Sequence, residues 1–195
     1  MRFLMKKNID FEGFFESALK YLYSAEIQIR DSLAVLAETA TVPELQQIFD
    51  HHMEETKHQI ERIENICGSL GVDTNGTHVE PTTGVVEKAK EKIKELAFGG
   101  KNHGMAGLVQ YANDTIKALK ESKALDFALI AVGQAVEHFE MASYKSIILL
   151  ADRLGFDDFR DELQKNLDEE RSMSEKLQKF AEEKIHFEIP AGAAR

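Results

Sequence analysis

The sequence predicts an all-α protein built as a bundle of four long helices. Only three prolines, Pro43, Pro81 and Pro190, occur in 195 residues, so long stretches of the chain are free to form helices. Apolar residues recur three and four positions apart in four long segments, which is the period of one helix face. No segment of useful length shows the alternation of apolar and polar residues that is typical of a strand.

The length suits one domain with a single core. We assign this domain to residues 1–186 and expect the tail at 187–195, which contains Pro190, Gly192 and three alanines, to be loosely ordered. The formal net charge of −10 disfavours binding to a phosphate backbone or to an anionic membrane surface. Neither nucleic acid nor a membrane is therefore an expected partner.

The cysteine content favours a cytoplasmic protein. Cys67 is the single cysteine, which excludes an internal disulfide and suits a reducing compartment. The first residues lack the apolar run of a signal peptide, and no stretch approaches the roughly 20 apolar residues that span a membrane.

The first helix is predicted from about Asp10, a suitable N-cap, to Thr39. Glu26 falls inside its apolar row. A charged side chain in such a row is costly unless it has a partner, and the alternative is a position at the edge of the row that reaches solvent. The row comprises Leu19, Leu22, Ile29, Leu33 and Leu36.

The second helix is predicted to begin at Pro43 or Glu44 and to run to about Leu70, with Gly68 and Gly71 as candidate C-cap residues. Its predicted inward row is apolar at both ends and polar in the middle, which is typical of a bundle with a polar site at mid-height. The row comprises Leu45, Ile48, His52, Glu55, Gln59, Ile63, Ile66 and Leu70.

Glu55 and His58 are three residues apart on this helix, so their side chains project from the same face. A carboxylate and an imidazole at that spacing can both reach one metal ion. His52 is interpreted as a hydrogen-bonded neighbour of such a site rather than as a ligand.

The connection between the second and third long helices is long enough to cross the bundle. Residues from Gly71 to His78 are predicted to form a loop. Two shorter helices are predicted next, one with a charged, solvated face from Pro81 to about Ala97, and one from Gly104 to about Ser122.

The third long helix is predicted from about Lys123 to Leu154, just before Gly155, and it carries Glu137 and Glu140 one turn apart in an otherwise apolar row. Two carboxylates in one row are harder to explain as surface residues than a single one. The row comprises Ile130, Gly133, Glu137, Glu140, Tyr144, Ile147, Ala151 and Leu154.

The fourth long helix is predicted from about Asp157 to Glu183, with Asp157 or Asp158 as its N-cap. Glu170 lies near the middle of its inward row, and Glu169 would take that place if the helix were rotated. The row comprises Leu163, Leu167, Glu170, Ser174, Leu177 and Ala181.

Inward acids on four antiparallel helices can converge at one level of the bundle. Unpaired, so many buried carboxylates would raise one another's pKa values or unfold the bundle. A pair of cations removes this conflict, and carboxylates with one imidazole suit iron or manganese. In the alternative, structural interpretation the acids pair with Lys20, Arg30, Arg62 or water. The second helix adds His58 to the inward acids, which are Glu26, Glu55, Glu137, Glu140 and Glu170.

Four motifs resemble those of the ferritin-like superfamily and, within it, the YciE/YciF stress-protein family. Each motif is weak alone, but the four occur in the right order and in register with the apolar rows. The similarity extends from about Asp10 to Ala181. The motifs are Tyr23-Ser24-Ala25-Glu26, His52-Met53-Glu54-Glu55-Thr56 with Gln59, Gln134-Ala135-Val136-Glu137-His138-Phe139-Glu140, and Leu167-Asp168-Glu169-Glu170.

This resemblance implies a ferritin-like antiparallel four-helix bundle, with a long crossover that carries one or two extra short helices, assembled as a homodimer. It also implies a non-haem di-metal centre that holds two iron ions, or alternatively manganese. By the same resemblance, the metal ligands would be Glu26, Glu55, His58, Glu137, Glu140 and Glu170.

The chain departs from the family pattern at three points. The closer relatives often lack a histidine at the position of His58. Met173 stands three residues after Glu170, where ferritins and rubrerythrins have a histidine, so one metal position is expected to be weak or empty. The segment at about 77–103 looks like an insertion relative to the family.

Two functions are compatible with these features. The first is a metal-dependent oxidoreductase with ferroxidase- or peroxidase-like activity toward oxygen or peroxide in stress protection. The second is a non-enzymatic helical stress protein that acts by dimerisation or partner binding, with at most a structural metal. The sequence favours metal binding and leaves both functions open.

Overall fold

Helices account for the regular structure in the computed structural model, which describes residues 11–74 and 101–185. α1 spans Phe11–Thr39, α2 Pro43–Leu70, α3 His103–Leu119, α4 Leu125–Leu154 and α5 Asp157–Lys184. These two described ranges contain no strand, so the predicted all-α class is confirmed. No helix within them is long and apolar enough to cross a bilayer.

Several predictions fall on other parts of the chain. The N-cap Asp10, the helix at 81–97, most of the 77–103 insertion and the C-terminal tail lie outside the described residues. The described helices begin and end within a few residues of their predicted bounds.

Proline and glycine set three of the helix ends. Pro43 lies in the first turn of α2, where its fixed φ suits a helix and its missing N–H is not needed. Gly71 and Gly155 follow α2 and α4 in the left-handed conformation, with φ of 68° and 75°. Their N–H groups each return to a carbonyl of the last helical turn, as in a glycine C-cap.

The start of α5 differs from the prediction. Phe156 is the N-cap, and neither Asp157 nor Asp158 caps the helix through its side chain. Both aspartates lie in the first turn, where a negative charge interacts favourably with the helix dipole. Their contribution is therefore electrostatic and does not come from a capping hydrogen bond.

Two helical hairpins, α1 with α2 and α4 with α5, form the bundle. α1 also contacts α4 and α2 contacts α5, which closes the four-helix arrangement, while α3 packs against α1 and α4. The turn after α1 is bonded to the start of α4, because Thr41 N–H donates to Asp126 Oδ1 at 2.7 Å. The end of α1 and the start of α4 thus lie at the same end of the bundle, so these helices run antiparallel.

Asn102 attaches the returning crossover to α1. Its N–H donates to Ser24 Oγ at 2.9 Å, and its side-chain amide donates to the Tyr21 carbonyl at 3.1 Å. Its Oδ1 accepts from Met105 N–H at 2.8 Å and so caps α3. This buried residue therefore fixes where α3 begins against α1.

Two apolar cores fill the ends of the bundle. One core includes Phe49, Leu129 and Leu177, and the other includes Phe15 and Leu163. Between them lies a layer of polar side chains that are at most 2% exposed. We call this set the polar layer, and its members are Glu26, His52, Gln59, Glu137, Glu140 and Glu170.

Candidate metal centre

The polar layer brings ionisable side chains from four helices together. α1 contributes one acid, α2 one imidazole, α4 two acids and α5 one acid. Ligand atoms of His52, Glu137, Glu140 and Glu170 all lie within 4.8 Å of one another. Glu26 adjoins the group, because its charge is among the influences that raise the pKa of Glu140, after the burial of that carboxyl and the charge of Glu170.

Helix periodicity places the α4 members of the layer on one face. Glu137 and Glu140 follow Gly133 on that face, and Gly133 allows the neighbouring helices to approach closely. A Cβ at Gly133 would lie 3.0 Å from Leu177 Cδ1 and 3.7 Å from Phe49 Cε1. The apolar core therefore closes directly beside the acids.

His52 is the one basic side chain that is buried within the described residues. Its Nε2 lies 3.2 Å from Glu137 Oε1 and 3.5 Å from Glu170 Oε2. Burial alone would lower the pKa of His52, but the charges of Glu137 and Glu170 outweigh burial and hold this pKa well above its usual value. The imidazole is therefore a cation among acids in the metal-free protein.

The acids of the layer bind protons more tightly than usual. Burial raises the pKa of Glu26 to about 7, although the Tyr144 hydroxyl donates to Glu26 Oε1 and acts in the opposite direction. Burial, reinforced by the charges of neighbouring carboxylates, also raises the pKa values of Glu140 and Glu170 well above their usual range. In the metal-free protein, protons therefore neutralise part of the negative charge that His52 alone could not balance.

Several ligand atoms of the layer are buried without a hydrogen-bond partner, which is uncommon in folded proteins. All the buried side-chain atoms of this kind in the described residues belong to the layer. Carboxylate oxygens and imidazole nitrogens are also the donor atoms that iron and manganese take in proteins. The residues present therefore fit a metal site. The atoms are Glu26 Oε2, His52 Nδ1 and Nε2, Gln59 Oε1, Glu137 Oε2, Glu140 Oε1 and Oε2, and Glu170 Oε2.

A hydrogen-bond network orients two of the acids, Glu26 and Glu170. Tyr144 donates to Glu26, and its hydroxyl oxygen accepts from Asn166 Nδ2 at 2.9 Å. Gln59 Nε2 donates to Glu170 Oε1. These contacts fix one oxygen of each carboxylate and leave the other oxygen without a hydrogen-bond partner.

At the border of the layer, Arg62 and Glu169 form what we call the edge pair. Two nitrogens of the Arg62 guanidinium each lie 2.7 Å from an oxygen of Glu169. Glu169 Oε2 also accepts from Gln59 Nε2 at 3.1 Å, so the edge pair is linked to the layer.

The sequence matches a known family over most of its length. The family is described as a domain of unknown function, DUF892, and it matches residues 10–101 and 97–189. The chain belongs to the DUF892 family. Protein YciF of Escherichia coli strain K12 is 35% identical over 170 residues, which are 87% of this chain and 89% of YciF. The DUF892 family is ferritin-like, as the resemblance of the motifs implies.

Solved structures agree with this DUF892 assignment. YcfI from Rhodopseudomonas palustris, which is called a structural protein, has a TM-score of 0.70 and 32% identity over 89% of this chain and 96% of its own. The E. coli stress protein YciF has a TM-score of 0.70 and 33% identity over 88% and 94%. A Xanthomonas campestris protein, with a TM-score of 0.55 and 20% identity over 86% and 90%, supports the fold alone. The predicted ferritin-like bundle is confirmed.

Four of the six residues predicted as ligands meet in the polar layer of this DUF892 protein: Glu26, Glu137, Glu140 and Glu170. The structure thus places Glu170 inside and Glu169 at the border, which decides between the two alternatives for α5. Within the described ranges, no ion pair joins these four acids to a lysine or arginine. Arg30 pairs with Asp31 instead, and Arg62 pairs with Glu169.

The other two predicted ligands, both on α2, lie elsewhere. His58 is on the outer surface, 66% exposed, with its Nδ1 3.4 Å from Glu61 Oε2. Glu55 is 26% exposed and lies at the rim of the layer, where it contacts His52. The imidazole inside the layer is therefore His52 and not His58, so the expected arrangement of α2 needs correction.

The reason is the rotation of α2 about its axis. Phe49 and Thr56 are buried, whereas Ile48 and Glu55 are only partly so. The sequence carried a signal for this rotation, because the residues three and four positions from His58 include Glu54, Glu61 and Arg62, all charged. A helix face with charges at every turn is typically exposed to solvent.

Three further side chains on α2 and α4 differ in their exposure. His138, beside Glu137, is exposed, and Cys67 is a buried thiol. Burial raises the pKa of Cys67 to about 11, which keeps the thiol protonated. Tyr144 is a core residue that also bonds to an acid of the layer.

Proposed function

We propose that this protein is a non-haem metal-binding protein whose polar layer holds two iron ions, or alternatively manganese. The observation that carries the proposal is the set of buried carboxylate and imidazole atoms without hydrogen-bond partners. A bound cation would supply the partner that these atoms lack. The residues that would hold the metal are Glu26, His52, Glu137, Glu140 and Glu170.

Charge balance favours a pair of ions over a single ion. Four ionised carboxylates in one dry layer match the charge of two divalent cations, and one such ion would leave an excess of negative charge. α5 offers only Glu170 to the pair, because Met173 on the same face is buried and its thioether is a soft ligand. One position is therefore proposed to bind more weakly than the other.

The chain's own residues would prepare and protect this centre. Tyr144 and Gln59 orient the carboxyl groups of Glu26 and Glu170, and the two apolar cores exclude water on either side. When bound, an iron or manganese pair supplies the redox chemistry toward oxygen or peroxide that a ferroxidase- or peroxidase-like activity requires. The stress-protein description of E. coli YciF supports a protective role.

A structural role without catalysis is the second candidate. The raised pKa values of Glu26 and Glu140 allow these two acids to share protons and remain neutral in the absence of metal. The layer would then serve only to hold the four helices in register. The description of YcfI as a structural protein is in line with this alternative.

Elemental analysis distinguishes the two candidates. The protein is purified without chelator, and a second sample is loaded with Fe(II) or Mn(II) without oxygen. We expect about two ions per chain, in keeping with a di-metal bundle. A Glu137→Gln, Glu140→Gln double variant should lose them, whereas Glu169→Gln, which changes an adjacent carboxyl outside the layer, should keep them. Failure to bind metal even after loading would leave the structural role.

A further inference from the structure

One partly exposed carboxylate is in contact with the buried imidazole of the polar layer. Glu55 is 26% exposed, and its Oε2 lies 3.5 Å from Nδ1 of His52. His52 is 1% exposed, and neither of its ring nitrogens has a hydrogen-bond partner. A buried nitrogen with an available lone pair or proton therefore faces a carboxylate that water can reach.

The contacts continue from Glu55 outward to a second imidazole. His51 Nε2 lies 3.3 Å from Glu55 Oε1, and the His51 side chain is 59% exposed. On the inner side, His52 Nε2 lies 3.2 Å from Glu137 Oε1. Metal-ligating groups therefore succeed one another from the surface to the buried acids, each within 3.5 Å of the next.

At the border formed by the edge pair, the part of the chain that the structure describes offers no such path. There the carboxylate of Glu169 is occupied on both oxygens by Arg62. A cation that approached this border would meet a fixed guanidinium and would have to displace it. A cation would therefore meet less competition at Glu55, which is in contact with two imidazoles, than at the edge pair.

We propose that His51 and Glu55 form a surface site for divalent metal ions through which these ions pass to and from the polar layer. The inference rests on the proposed metal-binding function and adds to it a route for the metal. His51 and Glu55 would bind the ion briefly, and the ion would pass from Glu55 to His52 as the imidazole of His52 releases a proton to solvent. Neither residue belongs to the buried set that would hold the metal at equilibrium.

Lys176 on α5 allows a test in which the rate of metal uptake should change in the opposite direction. Its charge is among those that lower the pKa of the Glu55 carboxyl, after the larger influence of His52. A positive charge at this place repels an approaching cation. Removal of the lysine charge should therefore accelerate uptake, whereas removal of the glutamate charge should slow it.

The experiment follows cobalt(II) chloride uptake by the metal-free, full-length protein in a stopped-flow absorbance instrument, with release into a chelator as the reverse measurement. The variants are Glu55→Gln, His51→Ala and Lys176→Gln. The control is Glu54→Gln, which makes the same charge change one residue away, at a side chain that is 60% exposed and paired with Lys57.

We expect Glu55→Gln to slow both uptake and release about fivefold or more, because a focused charge accelerates the approach of a counter-ion. His51→Ala should slow both by a smaller factor, and Lys176→Gln should accelerate uptake. The amount of cobalt bound and its absorption spectrum should not change, and Glu54→Gln should match the wild type. Higher salt should reduce the differences, since it screens exposed charges.

Other results would overturn the inference. Rates for Glu55→Gln equal to those of the control would show that ions take another path. An altered cobalt spectrum or a weaker equilibrium affinity would make Glu55 a ligand of the bound ion. If the wild-type protein bound no cobalt, the proposed function would fail, and the inference would fall with it.

Discussion

Glu169 and Glu170 are consecutive on α5 and carry the same side chain, but the fold treats them in opposite ways. Glu169 is 26% exposed and is held by two nitrogens of Arg62 at 2.7 Å. Glu170 is fully buried, accepts one hydrogen bond from Gln59, and otherwise faces His52 and other acids. One acid has a permanent positive partner, and the other shares a single imidazole with its neighbours.

This difference shows where the protein supplies its own positive charge. At the border of the bundle an arginine neutralises the acid, as in an ordinary ion pair. In the polar layer four acids share one imidazole, so protons or external cations must provide the remaining positive charge. The shortage of positive charge is thus a property of the polar layer and does not follow from the acidic composition of the whole chain.

The largest expected effect comes from removal of the imidazole inside the layer. His52→Leu should destabilise the metal-free protein by about 3 kcal/mol at pH 8, because it leaves buried carboxylates without their one cation. Urea unfolding of chelator-treated protein measures this loss.

His58→Leu is the matched control for that change, since the same substitution is made on the same helix at an exposed position. We expect the free energy of unfolding to change by no more than about 0.5 kcal/mol, as for most surface substitutions. Metal content should also be unchanged. A loss of metal in His58→Leu together with retention in His52→Leu would contradict the assignment of the inner imidazole.

The pH dependence of stability should reverse when metal binds. The pKa of Glu26 is raised from 4.5 to about 7, so the folded state binds this proton more tightly than the unfolded state does. The stabilisation that this proton gives the folded state is fully present below pH 4.5 and is lost as the pH rises through 7. The free energy of unfolding should fall by up to about 3 kcal/mol as a result. The raised pKa of His52 acts in the same direction.

Metal-free protein should therefore become less stable between pH 5 and pH 8. Protein loaded with metal should become more stable over the same range, because metal binding requires deprotonated ligands and releases protons. Thermal unfolding of both forms across this range is the measurement. Parallel curves for the two forms would mean that these acids do not bind the metal.

A smaller effect is expected from a neutral replacement inside the layer. Glu140→Met should stabilise the metal-free protein by about 2 kcal/mol, because both oxygens of Glu140 are buried without partners and an apolar side chain of similar size avoids that cost. The same variant should bind less metal. Denaturant unfolding and elemental analysis of one preparation report both changes.

The smallest effect is expected at the edge pair. Arg62→Met should lower the free energy of unfolding by only about 1 kcal/mol, since the pair is partly exposed and water screens the charge of Glu169. Metal content should remain that of the wild type. The measurement is urea unfolding of both proteins in low and high salt. The difference between their free energies of unfolding should decrease as salt screens the pair. A loss of metal in this variant would mean that the border and the layer act as one unit.

Local residue chemistry was sufficient to predict most of the fold. Pro43, Gly71 and Gly155 act on the backbone where they stand, so the ends of α2 and α4 follow from the sequence. The inward face of α4 was also predictable. Glu137 and Glu140 are the only charged residues in an otherwise apolar row, and a different rotation would expose that row to solvent.

For the described residues, the sequence by itself therefore determined the helices, both ends of α2, the C-terminal end of α4 and the acids that α1, α4 and α5 bring inward. Only the tertiary structure decided the rotation of α2, because apolar residues occur on two adjacent faces of that helix. Ile48 and Phe49 are both suited to the core, and one residue is a rotation of about 100°. Phe49 is the buried one, packed beside Gly133, where the missing side chain leaves room for the ring. That packing places His52 among the acids, moves Glu55 to the rim and turns His58 to solvent.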